Sequence, residues 1–306
     1  MKNYIKILLG IGCAFAVVAL SVWYLRQYPI DVLQPAGEIG SKQRDLIIVC
    51  SLLSVTVVIP VFWLLFHFAW KYRAGNKKAK YDPEQHGSNA LEAVWWLVPT
   101  ALMIVISVIT WRSSFALDPY KPLESNKKTL HVQVVSMDWK WLFIYPDQKV
   151  ASVNEVAIPV GTPVKFEITS DSVMSSFWVP KLGGQMYAMP GMTNKLHLNA
   201  TKVGDYRGVT ANISGAGFAG MDFTVKAMGD ADYSKWLAKA KDVHRTLDSS
   251  SYAVLAKPAT QKKPSYYSAV TPDMFNSIVM KYMMPTETEG HAHSDTHEHT
   301  HEGDSH

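Results

Sequence analysis

Histidine, cysteine and methionine are the side chains with which a chain could hold a redox metal, and here their placement is uneven. Six of the eleven histidines, His291, His293, His297, His299, His301 and His306, lie beyond residue 290 among Glu, Asp and Ser. Without apolar content that tract is expected to be a disordered, solvated tail, able to hold Zn, Cu or Ni only loosely through imidazole. Cys13 and Cys50 each sit inside an apolar run, far from any disulfide or zinc spacing. His67 lies near the end of an apolar run, where its ring can reach interfacial water. His197 alternates with Leu196 and Leu198, which predicts a water-facing position on a strand.

The stretch 170–225 is the one the chain is arranged around, and it contains no cysteine. It carries Ser175, then Thr210 and Ser214 with Asn212 between them, then Phe218 and Met221. A copper pair that shuttles electrons needs thiolates and imidazoles. Ser and Thr hydroxyls stay protonated near neutrality and Phe offers no lone pair, so Met221 is the one soft donor of the six. Trp139 and Trp141 flank Lys140 at strand spacing, which predicts both indoles on one face. Their amphipathic rings suit burial against a membrane partner. Glu92 stands at the start of an apolar run, where a carboxylate beside hydrocarbon is a functional candidate if it meets water or a partner. Asn89, three residues earlier, offers the alternative of a helix-start capping pair.

These residues need elements to hold them. The run 5–25, preceded by Lys2 and Lys6, is long enough to span a bilayer and reads as an anchor, with a signal segment as the alternative. Residues 26–45, broken by Pro35, Gly37 and Gly40, read as an external connector. A helical hairpin is expected over 46–112, with Pro60 and Pro99 inside its arms. Its loop 71–89 carries Lys71, Arg73, Lys77, Lys78 and Lys80, and by the positive-inside rule is cytoplasmic. Everything after about Arg112 is then periplasmic.

From residue 118 the period changes. Short alternating or aromatic runs separated by Gly and Pro turns predict a β-sandwich or barrel over 118–226. Tyr233, Trp236, Leu237 and Ala240 recur at helical spacing, so 227–285 is read as a helical extension, and 286–306 is the tail. The formal charge of +4, spread between a loop and a polar domain, does not indicate a nucleic-acid surface.

On these residues the chain resembles subunit II of the bo-type ubiquinol oxidases, in the haem-copper oxidase superfamily. In cytochrome c-oxidising members a His precedes a Val-Pro-x-Leu-Gly turn, present here as Val179 to Gly183. A later run there reads Cys-x-Glu-x-Cys-x-x-x-His-x-x-Met. Laid on without a gap, the first His falls on Ser175, the two Cys on Thr210 and Ser214, the Glu on Asn212 and the second His on Phe218; Met221 is retained. The resemblance implies membrane helices followed by a cupredoxin-like sandwich that has lost its copper ligands, and no cofactor in this chain. Haems and the oxygen-reducing copper are expected in a partner subunit I. Smaller membrane subunits and lipid complete the partners, and ubiquinol is the expected substrate of the complex. The resemblance also matches Glu92 to a glutamate at the cytoplasmic mouth of a K-type proton pathway. The implied location is a bacterial inner membrane, with the C-terminal domain in the periplasm. The competing reading is a membrane-tethered periplasmic copper carrier.

Overall fold

The computed structural model describes residues 12, 16–17, 19–28, 30–76 and 87–283. Cys13, Lys77, Lys78, Lys80 and the His-rich tail lie outside the described residues.

Two long helices, α1 (Glu38–Lys71) and α2 (Asn89–Ala116), form the hairpin. At 1.5 Å per residue they run about 51 and 42 Å, more than the roughly 30 Å of a hydrocarbon core. Their most apolar windows have hydropathies of 2.6 and 2.1 and bury nothing within the chain. Pro60 and Pro99 lie inside the helices, as expected.

Helix α1 starts eight residues before the expected hairpin, inside the segment read as connector. Gly37 and Gly40 do not break it; they let it approach the sandwich. A Cβ on Gly37 would lie 2.5 Å from the Asn199 carbonyl oxygen, and one on Gly40 3.0 Å from that of Lys181. At this contact the free amides of the first turn find acceptors: Glu38 N–H donates to Asn199 Oδ1 (3.0 Å) and Gly40 N–H to the Leu182 carbonyl (2.9 Å). The membrane helix is thereby joined to the β-domain by hydrogen bonds as well as by chain.

The β-domain has ten strands: β1 (Leu130–Met137), β2 (Lys140–Tyr145), β3 (Val150–Val153), β4 (Glu155–Pro159), β5 (Val164–Ser170), β6 (Ser175–Val179), β7 (Gly183–Ala188), β8 (Asn194–Leu198), β9 (Gly204–Thr210) and β10 (Asp222–Met228). The C-terminal extension adds α3 (Asp230–Lys241), β11 (Thr246–Leu247), α4 (Ser249–Leu255), β12 (Ser265–Tyr267), β13 (Ala269–Val270) and α5 (Met274–Met280). One sheet runs β12-β3-β2-β1-β5-β8 and the other β4-β10-β9-β6-β7. The pairs β1/β5 and β4/β10 are parallel, and β12 joins the edge at β3 antiparallel.

Strand β2 shows why the extension belongs to the fold. Every one of its residues is buried. Trp141, Phe143 and Tyr145 point between the sheets into the main core, with Phe177 and Phe223 stacked at 4.9 Å beside them. Leu142 and Ile144 point the other way, into a second core closed by Leu247, Tyr267, Phe275, Ile278 and Val279 of the extension. A strand covered on both faces reads as a continuous apolar run, which is what residues 141–145 are.

Candidate functional site

Of the six positions that would carry copper in the resembled family, Thr210, Ser214 and Met221 meet beside the β1/β2 hairpin. That hairpin turns through Asp138 and Trp139, since Met137 pairs with Lys140. Trp139 sits in the left-handed region (φ 64°), in the turn and not on the strand as expected. Its ring lies flat on the loop after β9: a Cβ on Gly217 would come within 2.2 Å of it, so that position excludes any side chain. Its indole N–H donates to the Ser214 carbonyl at 3.1 Å.

Trp141 reaches the same loop from inside. Its indole N–H donates to Thr210 Oγ1 (3.0 Å), and that hydroxyl donates onward to the Met221 carbonyl (3.1 Å). Ser214 Oγ is 3.8 Å from the Met221 sulfur, and Ser176 Oγ donates to Asn212 Oδ1 at 2.9 Å. Ser175 Oγ is buried with no hydrogen-bond partner among the described residues. Phe218 opens a short 3-10 turn, Phe218–Gly220. Thr210, Ser214 and Met221 are thus brought into one hydrogen-bonded cluster, with Asn212 adjoining through Ser176.

This donor set does not fit a copper pair. Its hydroxyls are protonated, those of Thr210 and Ser214 meet indole, carbonyl and thioether neighbours, and it contains one soft atom. Among the described residues no group of three or more His, Cys, Asp or Glu side chains could hold a metal.

Three expectations need correction. Trp141 is fully buried inside the chain and offers no surface to a membrane partner, because the opposite sheet already covers it. His197 does not face water: it is 6% exposed, with Nδ1 3.0 Å from the Pro119 carbonyl oxygen, because the segment leaving the membrane folds over β8. The capping pair at Glu92 is not formed, since Ser88 takes the cap position and makes no side-chain bond there. Glu92 itself is in the first turn of α2, exposed in this chain.

The residues that sequence reasoning passed over are two acids. Glu155, 2% exposed, accepts from Trp236 Nε1 (2.9 Å) and Tyr266 Oη (2.6 Å) and pairs with Lys226 Nζ (2.9 Å). Burial alone would push its carboxyl up, but the bonds from Tyr266, Lys226 and Trp236 outweigh it and hold the group below its ordinary value. Asp171, its side chain 1% exposed, binds Lys281 Nζ (2.8 Å), Tyr282 Oη (3.0 Å) and Tyr252 Oη (2.6 Å). The two carboxylates clamp the extension to the sandwich at separate points. An acid opening an apolar run, as Glu155 does before Val156, Ala157 and Ile158, with Trp and Tyr recurring downstream, is the signal that could have found the first of them.

Comparison with known proteins agrees with this arrangement. Residues 40–113 match the family described as cytochrome c oxidase subunit II, transmembrane domain, and 147–228 its periplasmic domain; 241–286 match the COX aromatic rich motif. The chain is 47% identical to the cytochrome bo(3) ubiquinol oxidase subunit 2 of Pseudomonas aeruginosa, covering 87% of this chain and 80% of that one. It is also 47% identical to the ubiquinol oxidase subunit 2 of Acetobacter aceti, over 83% of each. The chain belongs to the ubiquinol oxidase subunit 2 family. As a member it is one subunit of a multisubunit oxidoreductase of the haem-copper superfamily, held in a bacterial inner membrane with its sandwich in the periplasm. Membership fits the oxidase reading and not a copper carrier. The aromatic rich motif coincides with the segment whose Tyr252, Tyr266 and Tyr282 reach the two buried acids.

Proposed function

We propose that this chain is the subunit II of a quinol:oxygen oxidoreductase and carries no redox centre of its own. The observation that carries the reading is the fate of the copper positions, where Thr210, held between Trp141 and Met221, replaces a thiolate with a committed hydroxyl. An electron from a periplasmic cytochrome would find no acceptor there. The electrons then come from ubiquinol, as the relatives' names indicate for them, and the haems and copper belong to subunit I. The role left to this chain is to brace subunit I and cover its periplasmic side. Its uncovered helices are the surface for subunit I, the smaller subunits and lipid.

The test is oxygen uptake by the complex purified through this chain, with ubiquinol and with reduced cytochrome c as donors. Turnover is expected with ubiquinol alone; robust cytochrome c turnover would overturn the reading.

Glu92 is the one site we place in the proton route. What supports it is an exposed carboxylate in the first turn of a spanning helix, at the loop end, with no capping bond to account for it. Glu92→Gln should lower turnover several-fold at unchanged haem content. Normal turnover at full assembly would remove Glu92 from the route.

A further inference from the structure

Lys140 lies between the two tryptophans of the copper-site end but points the opposite way, into a cavity of about 590 Å³ under the extension. The cavity is lined by Lys140, Arg245 and Lys257, with Ser251, Gln261 and Ser265 among its polar walls. No acidic residue lines it.

Lys140 is 3% exposed. Two of its ammonium hydrogens go to backbone carbonyls, those of Lys257 (2.7 Å) and Ala259 (3.4 Å). An ammonium has three donors, so one is left over, and two neutral carbonyls do not cancel a charge. Asp138 is the acid close enough to act on it, yet the two form no ion pair, and Asp138 accepts a hydrogen bond from Ser172. Burial pulls the Lys140 ammonium down from its ordinary value, with Asp138 opposing. A buried charge persists where something of opposite sign compensates it.

The other two cations line the same cavity but are exposed to solvent. The Arg245 guanidinium lies over the Tyr267 ring at 5.0 Å and makes no ion pair among the described residues, and Lys257 makes none either. Three cations without counter-ions therefore share one cavity whose walls add hydroxyl and amide donors. A guanidinium fork and two ammoniums match a tetrahedral oxyanion better than a single carboxylate, because such an anion has enough oxygens for all three.

We propose that this cavity is an anion site that takes a phosphate-type oxyanion, either free phosphate or the headgroup of an anionic phospholipid. It is independent of the quinol reading, since none of its residues belongs to the copper positions or to the proton route.

The experiment uses the intact complex in phosphate-free buffer. Inorganic phosphate is titrated by calorimetry, and in parallel the complex is reconstituted in nanodiscs of phosphatidylglycerol or phosphatidylcholine and its retained lipid counted by native mass spectrometry. The pocket variant is Arg245→Gln with Lys257→Gln. The control, Lys239→Gln with Lys241→Gln, removes the same charge from an exposed helix end. Haem content checks assembly of both. Phosphate binding weakened at least tenfold in the pocket variant and unchanged in the control would establish a free-anion site. Phosphatidylglycerol retained by wild type and control but lost from the pocket variant would establish the headgroup. Equal weakening in both variants, or binding of neither probe by wild type, would overturn the proposal.

Discussion

The copper positions and the C-terminal clamp both gather buried or half-buried polar side chains in one sandwich, but one is neutral and the other charged. At the copper end, hydroxyls and an amide share bonds with indoles and carbonyls, and one hydroxyl, Ser175, is left over. At the clamp, every contact of Glu155 and Asp171 is to a donor on another element, and both carboxylates are filled. The difference is one of tolerance. A neutral cluster with slack can lose a bond and relax, whereas a buried carboxylate that loses a partner leaves charge in an apolar place.

The largest effect should come from the charged side. Glu155→Gln keeps an oxygen for Trp236 and Tyr266 but turns an amide toward Lys226, whose ammonium loses its hydrogen-bonded carboxylate and keeps only the weaker pull of Asp205. We expect the segment 118–283 to lose about 3 kcal/mol, within the range for breaking a buried pair, measured by urea unfolding followed through tryptophan fluorescence. The pH profile sharpens the prediction. The folded-state value of Glu155 is lowered, so its contribution is present above the ordinary carboxylate range and lost as pH falls through the lowered value. The variant should therefore have a flatter acid limb than wild type. Tyr266 is shifted the other way, first by burial and then by Glu155, so its contribution is present below the ordinary tyrosine value and fades as pH rises past it. Equal acid limbs in the two proteins would mean that Glu155 is not the charge that matters.

How far each region could be read from sequence follows from how local its causes are. The membrane helices are legible because length and hydropathy alone make them, and the lack of any cysteine after Cys50 is read directly from the sequence. What was not legible came from contacts distant in the chain. Trp141 looked available to a partner because alternation gives the parity of a side chain and not what lies across from it; Phe177 and Phe223 lie there. His197 was drawn inward by Pro119, and Gly40 served close approach to Leu182 and not a break. Glu155 needed Tyr266, which arrives only when β12 pairs with β3.

A smaller effect is expected at Thr210. Thr210→Val keeps the shape but removes the hydroxyl between the Trp141 indole and the Met221 carbonyl. The indole N–H is then left unpaired in a core where Trp141 is fully buried, which costs about 1–3 kcal/mol. The same unfolding experiment reads it. A loss as large as that of Glu155→Gln would erase the distinction between neutral and charged clusters. Thr210→Ser, which restores the hydroxyl, should recover most of the stability.

The smallest effect, and the one of opposite sign, belongs to Ser175. Its Oγ occupies the place of a metal-binding imidazole in the resembled family, and it is buried with no hydrogen-bond partner among the described residues. A buried hydroxyl that bonds to nothing carries the desolvation penalty of a polar atom without return. Ser175→Ala removes that atom and one small volume at a strand end, so the change should be neutral or stabilising by up to about 1 kcal/mol, the size of one ordinary hydrogen bond. Its neighbour supplies the control. Ser176 is equally buried, but its Oγ donates to Asn212 at 2.9 Å, so Ser176→Ala should destabilise by about 1 kcal/mol. The two substitutions delete the same atom from adjacent residues of β6 and differ in whether it was bonded. Opposite signs would locate the slack of the copper end at Ser175. A loss at Ser175 equal to that at Ser176 would mean that its hydroxyl is hydrogen-bonded in the folded domain, for instance to a buried water, and that the copper end is as fully satisfied as the clamp.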